Sequence, residues 1–194
     1  MISIDQVKQL RQQTGVSVSE CKKALEETQG DLSKAKELLR KWGKEVADKK
    51  SEREASEGIV DSYVHSNKKV GVLIELNCET DFVAKSDDFK NLAHELCLQI
   101  VGMKPLFLAK EDIPEKFLDG ERKIYEEQVK NSGKPKKITD QIVEGKLEKY
   151  KEQVSLLSQP WVKDQSKTVG ELLEEYIAKL GENISIKRFA RYEI

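Results

Sequence analysis

The sequence contains little cysteine, histidine or proline. Three cysteines, two histidines and four prolines are spread over 194 residues. The cysteines are odd in number, widely spaced and embedded in apolar patterns, which argues against a disulfide framework or a zinc site. We expect Cys21, Cys78 and Cys97 to be buried, reduced thiols with a structural role.

Long apolar runs and an excess of charge of one sign are also missing. No stretch is long and apolar enough to be a transmembrane span, and the chain enters predicted structure at once without a signal or transit peptide. Lysine and arginine total 34 against 35 aspartates and glutamates, a net charge of −1. This balance disfavours binding to a phosphate backbone or an anionic membrane. We therefore expect a cytoplasmic location, with neither nucleic acid nor membrane as a direct partner.

Catalytic motifs are absent from the sequence. It contains no glycine-rich phosphate loop, nucleophile elbow, CxxC pair or HExxH pattern. His65 lies in a predicted strand and His94 beside the apolar face of a predicted helix, and we expect both to be structural or solvent-facing. Glu75, Glu79 and Asp81 are the best carboxylates for acid–base chemistry, but no partner base accompanies them. The sequence predicts a protein that is not an enzyme and has no cofactor or metal.

The first 43 residues predict a module of three short helices. Each helix combines a capping residue, an apolar face at helical spacing and a glycine stop. About forty residues form only a marginal core, so we expect the module to be modestly stable and to dock on another surface. The predicted caps and stops are Ser3 and Gly15, Ser17 and Gly30, and Asp31 and Gly43.

Residues 44–57 are almost entirely charged or small, and we interpret them as a solvated linker with helical character. Residues 58–194 predict a core domain in which three strands form an antiparallel sheet packed with helices, so the fold class is α+β. Two of the helices form a hairpin separated by Gly133-Lys-Pro135. The predicted strands are 59–65, 69–77 and the segment from 184, and the predicted helices begin near Ser86, Glu115, Lys136 and Thr168.

A large aromatic residue follows the second predicted strand. The chain reads Glu75-Leu-Asn-Cys-Glu-Thr-Asp-Phe-Val-Ala84 at this point. Thr80 and Asp81 are both good N-cap residues, so the backbone turns into a helical segment with Phe82 near its tip. A protruding phenylalanine beside a carboxylate suits insertion into another protein. The alternative is that Phe82 is a core residue closing the sheet edge, since most large aromatics are buried.

This segment resembles the signature of the bacterial translation elongation factor Ts family, and further matches span the whole chain. The family accelerates the release of GDP from the GTPase elongation factor Tu by displacing its magnesium ion. The family residues that insert into the partner for this purpose match Thr80, Asp81, Phe82 and Val83. The resemblance also implies that a ubiquitin-associated-type N-terminal module contacts the partner through Arg11, Val18 and Lys22. The other matching segments are Leu10-Arg-Gln-Gln-Thr-Gly15, Cys21-Lys-Lys-Ala-Leu25, Gly30-Asp31, Leu39-Arg40, Gly133-Lys-Pro135, Ile142-Val-Glu-Gly-Lys146, Gln159-Pro160, Gly181-Glu-Asn-Ile184 and Arg188-Phe189.

Chain length adds an expectation about assembly. The chain has one copy of the core where longer members of this family have two, and short members are thought to compensate by pairing. We therefore expect a homodimer, formed through the sheet edge around 184–194. An adaptor of the ubiquitin-associated type remains an alternative, but it leaves the segment from Thr80 to Ala84 unexplained.

Overall fold

The structure is a computed structural model that describes residues 2–130 and 135–194, and its fold is α+β, as the sequence predicts. A three-stranded antiparallel sheet has the order β1-β2-β5, and a separate two-stranded sheet pairs β3 with β4. The helices are α1 (Ile4–Thr14), α2 (Val18–Glu27), α3 (Leu32–Lys50), α4 (Asp81–Lys85), α5 (Asp87–Met103), α6 (Glu115–Lys130), α7 (Lys136–Val154) and α8 (Val169–Leu180). The strands are β1 (Glu57–Val64), β2 (Val70–Cys78), β3 (Pro160–Trp161), β4 (Asp164–Thr168) and β5 (Ile184–Glu193).

The predicted caps of the first three helices are confirmed. The Ser3 hydroxyl accepts the Gln6 amide, the Ser17 hydroxyl accepts the Glu20 amide and the Asp31 carboxylate accepts the Lys34 amide. Each bond satisfies an amide that has no partner within the helix. The three helices enclose a buried cluster made of Leu10, Cys21, Ala24, Leu25, Ala35 and Leu39.

The end predicted for the third helix is wrong, because α3 continues through Gly43 to Lys50. Gly43 is buried and is not among the residues with positive φ, so it does not act as a C-cap. Its Cα approaches α8 so closely that an added Cβ would lie 3.5 Å from the Cβ of Ala178. Leu39, Gly43 and Ala47 continue one buried stripe at a spacing of four. The stripe is made of small residues, which a search for large apolar side chains overlooks.

The main sheet follows the predicted alternation. In β2 the side chains of Val72, Ile74 and Leu76 are buried, whereas Leu73 between them is exposed. The turn from β1 to β2 is closed by the Asn67 side chain, which accepts the amide of Lys69 at 2.9 Å. Asparagine side chains mimic a backbone turn in this way.

Helices α6 and α7 pack on each other as the predicted hairpin. Their shared core consists of Val129, Val143 and Leu147, with Tyr125 and Ile142 packed against it. The predicted separator Gly133-Lys-Pro135 lies outside the described residues except for Pro135.

The sequence does not predict β3 and β4, because β3 has only two residues and all five residues of β4 are polar, so neither strand shows an apolar alternation. The segment leading into β3 is held by buried amide side chains. The Gln159 side chain donates to the carbonyls of Met103 and Gln153, and the Gln99 side chain donates to the carbonyl of Pro160 at 3.1 Å. Buried amides require such partners, which gives the Gln159-Pro160 motif a structural role.

The chain divides into two compact units, and both include part of the main sheet. The first comprises Met1–Asp61, Ile74–His94 and Glu171–Lys187. The second comprises Ser62–Leu73, Glu95–Gly170 and Arg188–Ile194.

Candidate partner-binding segment

The segment Thr80–Val83 lies where β2 ends and the short helix α4 begins. Thr80 has an extended backbone with φ −129° and ψ 155°, and its hydroxyl accepts the amide of Val83 at 3.4 Å. The same hydroxyl donates to Oε1 of Glu182 at 2.6 Å. The predicted N-cap is therefore confirmed, and the chain passes from strand to helix with only Glu79 and Thr80 between them.

The side chain of Phe82 is 83% exposed. Phe89, seven residues later, is completely buried, so the two aromatics of this region have opposite environments. The prediction that Phe82 protrudes near the tip of a helical segment is confirmed, and the alternative of a core residue is wrong. Val83 is half-buried and Ala84 is buried, so α4 is anchored by the residues that follow Phe82.

Asp81 lies beside Phe82 on the first turn of α4. Its carboxylate accepts a hydrogen bond from the Lys85 ammonium at 2.6 Å, one helical turn along the chain. This bond is the main reason that the pKa of Asp81 lies below its ordinary value. Asp81 is consequently a carboxylate at neutral pH, and its half-exposed side chain is partly accessible to another protein.

The Glu182 carboxylate, from the turn between α8 and β5, supports the segment before α4. Oε2 of Glu182 accepts the backbone amides of Glu79 at 3.1 Å and Thr80 at 3.0 Å. The nearby thiol of Cys78 is buried and donates to the carbonyl of Thr80 at 3.1 Å. Burial, followed by the charge of Glu182, raises the pKa of Cys78 to about 11. The sequence of the Gly181-Glu-Asn-Ile184 motif alone does not indicate this role, because it depends on a contact with a segment about a hundred residues away.

The three residues predicted on the N-terminal module are all exposed. Arg11 lies in the last turn of α1. Val18 begins α2 and is 52% exposed, and Lys22 follows four residues later, so both lie on one face of this helix. The ammonium of Lys22 lies 3.7 Å from the Glu26 carboxylate, an exposed pair that contributes little to stability.

The polar groups considered for catalysis have other partners. Nδ1 of His65 lies 3.2 Å from the hydroxyl of Tyr63. Glu79 accepts the amide of Asn183 at 2.6 Å and lies 3.6 Å from Arg53. Within residues 2–130 and 135–194, no group of three or more histidine, cysteine or acidic side chains is arranged to hold a metal ion.

The same described ranges contain no helix long and apolar enough to cross a membrane.

Comparison with known proteins identifies the class. A family model described as Elongation factor TS matches residues 5–194. The chain is 53% identical to elongation factor Ts of Coprothermobacter proteolyticus, 52% identical to that of Thermotoga petrophila and 50% identical to that of a Thermoanaerobacter species. Each match covers all of this chain and 98%, 96% and 95% of the three relatives, respectively.

The α+β fold, its three N-terminal helices and these matches define a protein factor of translation elongation. The chain belongs to the elongation factor Ts family. Membership of this family supports a role in nucleotide exchange during elongation.

Proposed function

We propose that this chain binds elongation factor Tu in its GDP form, displaces the magnesium ion and promotes GDP release so that GTP can bind. The observation that carries this proposal is the exposure of Phe82 at the tip of α4, beside the ionised Asp81. The chain makes or breaks no covalent bond in this activity, so it acts as an exchange factor and not as an enzyme.

The chemistry of the partner explains why such a wedge is effective. A GTPase holds its nucleotide through a magnesium ion that bridges the phosphates and through backbone amides that cradle them. Phe82 enters between helices of the partner and shifts the elements that hold magnesium. Asp81 supplies negative charge and hydrogen-bond acceptors beside the displaced site, while Thr80 and Val83 fix the geometry of the turn.

The free energies involved show that exchange requires a wider interface than the contact of Phe82 alone. Burying one phenylalanine contributes about 1.5–3 kcal/mol. Weakening a bound nucleotide a thousandfold needs about 4 kcal/mol of coupling free energy. The remainder comes from the N-terminal helices, where Arg11, Val18 and Lys22 are exposed. In this scheme residues 1–43 are a ubiquitin-associated-like docking module, joined through residues 44–57 to a core of residues 58–194.

Linkage explains how the factor leaves its partner. If the factor weakens nucleotide binding by some ratio, bound nucleotide weakens binding of the factor by the same ratio. Incoming GTP therefore releases the factor and completes the cycle.

We also propose that the chain pairs with a second copy along β5, which is an edge strand of the main sheet. Support comes from Tyr192 and Ile194, whose side chains are 73% and 94% exposed near the end of this strand. Unpaired strand edges readily accept another strand.

The test is release of labelled GDP from purified elongation factor Tu, chased with unlabelled nucleotide. In magnesium buffer this protein accelerates release, and Asp81→Ala reduces the acceleration. When magnesium is chelated before the factor is added, the factor accelerates release by a smaller ratio. Chelation has then already removed the contribution of magnesium to GDP binding, which is the contribution that the factor otherwise removes. A folded protein that leaves GDP release in magnesium unchanged would contradict the exchange function. Equal acceleration with and without magnesium would contradict displacement of the ion.

A further inference from the structure

Two chain segments that lie about a hundred residues apart are bonded reciprocally behind the Phe82 turn. From one side, the Glu182 carboxylate accepts the amides of Glu79 and Thr80 and the hydroxyl of Thr80. From the other side, the Glu79 carboxylate accepts the amide of Asn183 at 2.6 Å. Each acidic side chain therefore holds the backbone of the opposite segment.

The second segment is itself fixed to the chain before β1. The side-chain amide of Asn183 is buried and donates to the carbonyl of Arg53 at 2.7 Å. It also lies 3.4 Å from the carbonyl of Ser51, and the Arg53 guanidinium pairs with Glu79. Asn183, the residue after Glu182, is therefore fixed by hydrogen bonds from both its backbone and its side chain.

We infer that Glu182 is a positioning residue that holds Thr80 so that Phe82 is presented to the partner in one orientation. This inference rests on the proposed exchange function. Glu182 does not lie at the tip itself, because it is half-buried and its three hydrogen bonds to described residues go to the turn.

The chemistry of the bonds supports this role. Hydrogen bonds to an ionised acceptor are about twice as strong as those between neutral groups. Glu182 directs three of them at two consecutive residues, immediately before the helix that carries Phe82. Removing the carboxylate leaves two backbone amides and one hydroxyl without acceptors at the hinge of α4. The turn then samples other orientations, and binding must first restore the productive one.

The hydrogen bonds between the two segments also explain why both segments are needed to hold the cap of α4. Thr80 alone caps α4 through its hydroxyl, but this bond is long at 3.4 Å. The bond of the same hydroxyl to Glu182 is short at 2.6 Å and fixes the side-chain rotamer that caps the helix. Glu182 therefore acts on Phe82 through Thr80.

The variants are Glu182→Ala, which removes all three bonds, and Glu182→Gln, which keeps one carbonyl oxygen for the two amides and offers its NH2 group to the Thr80 oxygen. Glu127→Ala is the matched control, because it removes an exposed carboxylate that pairs with Lys130 on α6, outside the turn. GDP release from elongation factor Tu is measured over a range of factor concentrations. This range separates the maximal rate from the half-saturating concentration.

We expect Glu182→Ala to lower the maximal stimulated rate at least about tenfold, equal to about 1.4 kcal/mol. Glu182→Gln retains most of the rate, and Glu127→Ala matches the wild type. In the Phe82→Ala background, Glu182→Ala produces little further loss, because the residue that it positions is already gone. A loss by the same factor in both backgrounds would overturn the inference, since Glu182 would then act independently of Phe82.

Hydrogen–deuterium exchange at neutral pH tests the positioning without the partner. Glu182→Ala accelerates exchange of the amides of Glu79, Thr80 and Val83, while the amides of α2 keep their wild-type rates. Unchanged protection at Glu79 and Thr80 would overturn the inference whether or not the protein releases GDP. Suppose that hydrogen–deuterium exchange accelerates at these amides but the wild type fails to release GDP. The nucleotide-exchange function is then contradicted, whereas the role of Glu182 in holding the turn is supported.

Discussion

At the scale of single residues, the opposite environments of Phe82 and Phe89 distinguish the candidate partner-binding segment from the core. Phe89 begins the apolar face of α5 and is fully buried, whereas Phe82 belongs to a helix of five residues and remains 83% exposed. An isolated exposed phenylalanine is costly to keep in water, by about 1.5–3 kcal/mol relative to burial. We infer that the bonded turn that precedes Phe82 holds this side chain away from the core.

The cysteines provide a prediction at the same scale. All three are buried, burial raises the pKa of Cys21, and the pKa of Cys78 is raised to about 11. Only the thiolate is reactive, so the folded protein should react slowly with a disulfide reagent such as DTNB at pH 8. In denaturant all three thiols should react rapidly. A thiol that reacts at the denatured rate in the folded protein would contradict the burial described here.

The sequence predicts the exposed parts of the site but not its support. Threonine and aspartate after an alternating strand predict a cap, and the cap predicts the protrusion of Phe82. The hydrogen bond that Lys85 donates to Asp81 also follows from their spacing of four. Glu182 lies about a hundred residues away, and no local pattern indicates which backbone amides its carboxylate will accept.

At the scale of elements, the long periodic segments are predictable and the short or small-residue segments are not. Helices α6, α7 and α8 and strands β1, β2 and β5 occur close to their predicted positions. The sequence does not predict the final two turns of α3, because Gly43 and Ala47 continue its buried stripe with small side chains. Strands β3 and β4 depend on Gln99 and Gln159, whose pairing is a tertiary contact.

Gly43 therefore carries a prediction about helix stability. Glycine inside a helix destabilises it by about 0.5–1 kcal/mol relative to alanine. A Cβ at Gly43 would meet Ala178 at an ordinary contact distance, so Gly43→Ala should raise the free energy of unfolding by that amount. Gly145→Ala in α7 is the control, because its Cβ would meet nothing within 4 Å. Urea denaturation measures both, and destabilisation by Gly43→Ala alone would contradict the spacing between α3 and α8.

Glu174 in α8 gives a prediction about pH. Burial raises its pKa, with Asp48 and Glu171 adding to the effect while Lys44 and Arg40 oppose it. Between the ordinary glutamate pKa and this raised value, the folded protein binds more protons than the unfolded chain. Stability contributed by this group is therefore present at low pH and is lost as pH rises through that window.

The substitution Glu174→Gln removes the loss of stability that accompanies ionisation of Glu174. The variant should be more stable than the wild type at pH 7, and its advantage should disappear as pH falls to the ordinary glutamate pKa. Urea midpoints from pH 4 to pH 8 measure the difference, with Glu127→Gln as an exposed control. An advantage that stays constant across this range would contradict the assignment to Glu174.

At the scale of the whole molecule, the balanced charge favours association between copies. A net charge of −1 gives little repulsion between two chains, and β5 offers an edge with exposed Tyr192. We predict a molar mass of twice 22.1 kDa in sedimentation equilibrium at micromolar concentration. Tyr192→Lys should shift the equilibrium toward the monomer, whereas Ile124→Lys on α6 should not. A mass of 22.1 kDa for the wild type at all concentrations would contradict self-pairing.

The central claim is that Phe82 couples this molecule to the nucleotide site of its partner. The most direct measurement compares GDP release from elongation factor Tu at saturating wild type and at saturating Phe82→Ala. Loss of about 1.5–3 kcal/mol of burial predicts a rate about ten- to a hundredfold lower in the variant. Its melting temperature should be unchanged, because the side chain is 83% exposed. Equal release rates with the two equally folded proteins would contradict the account.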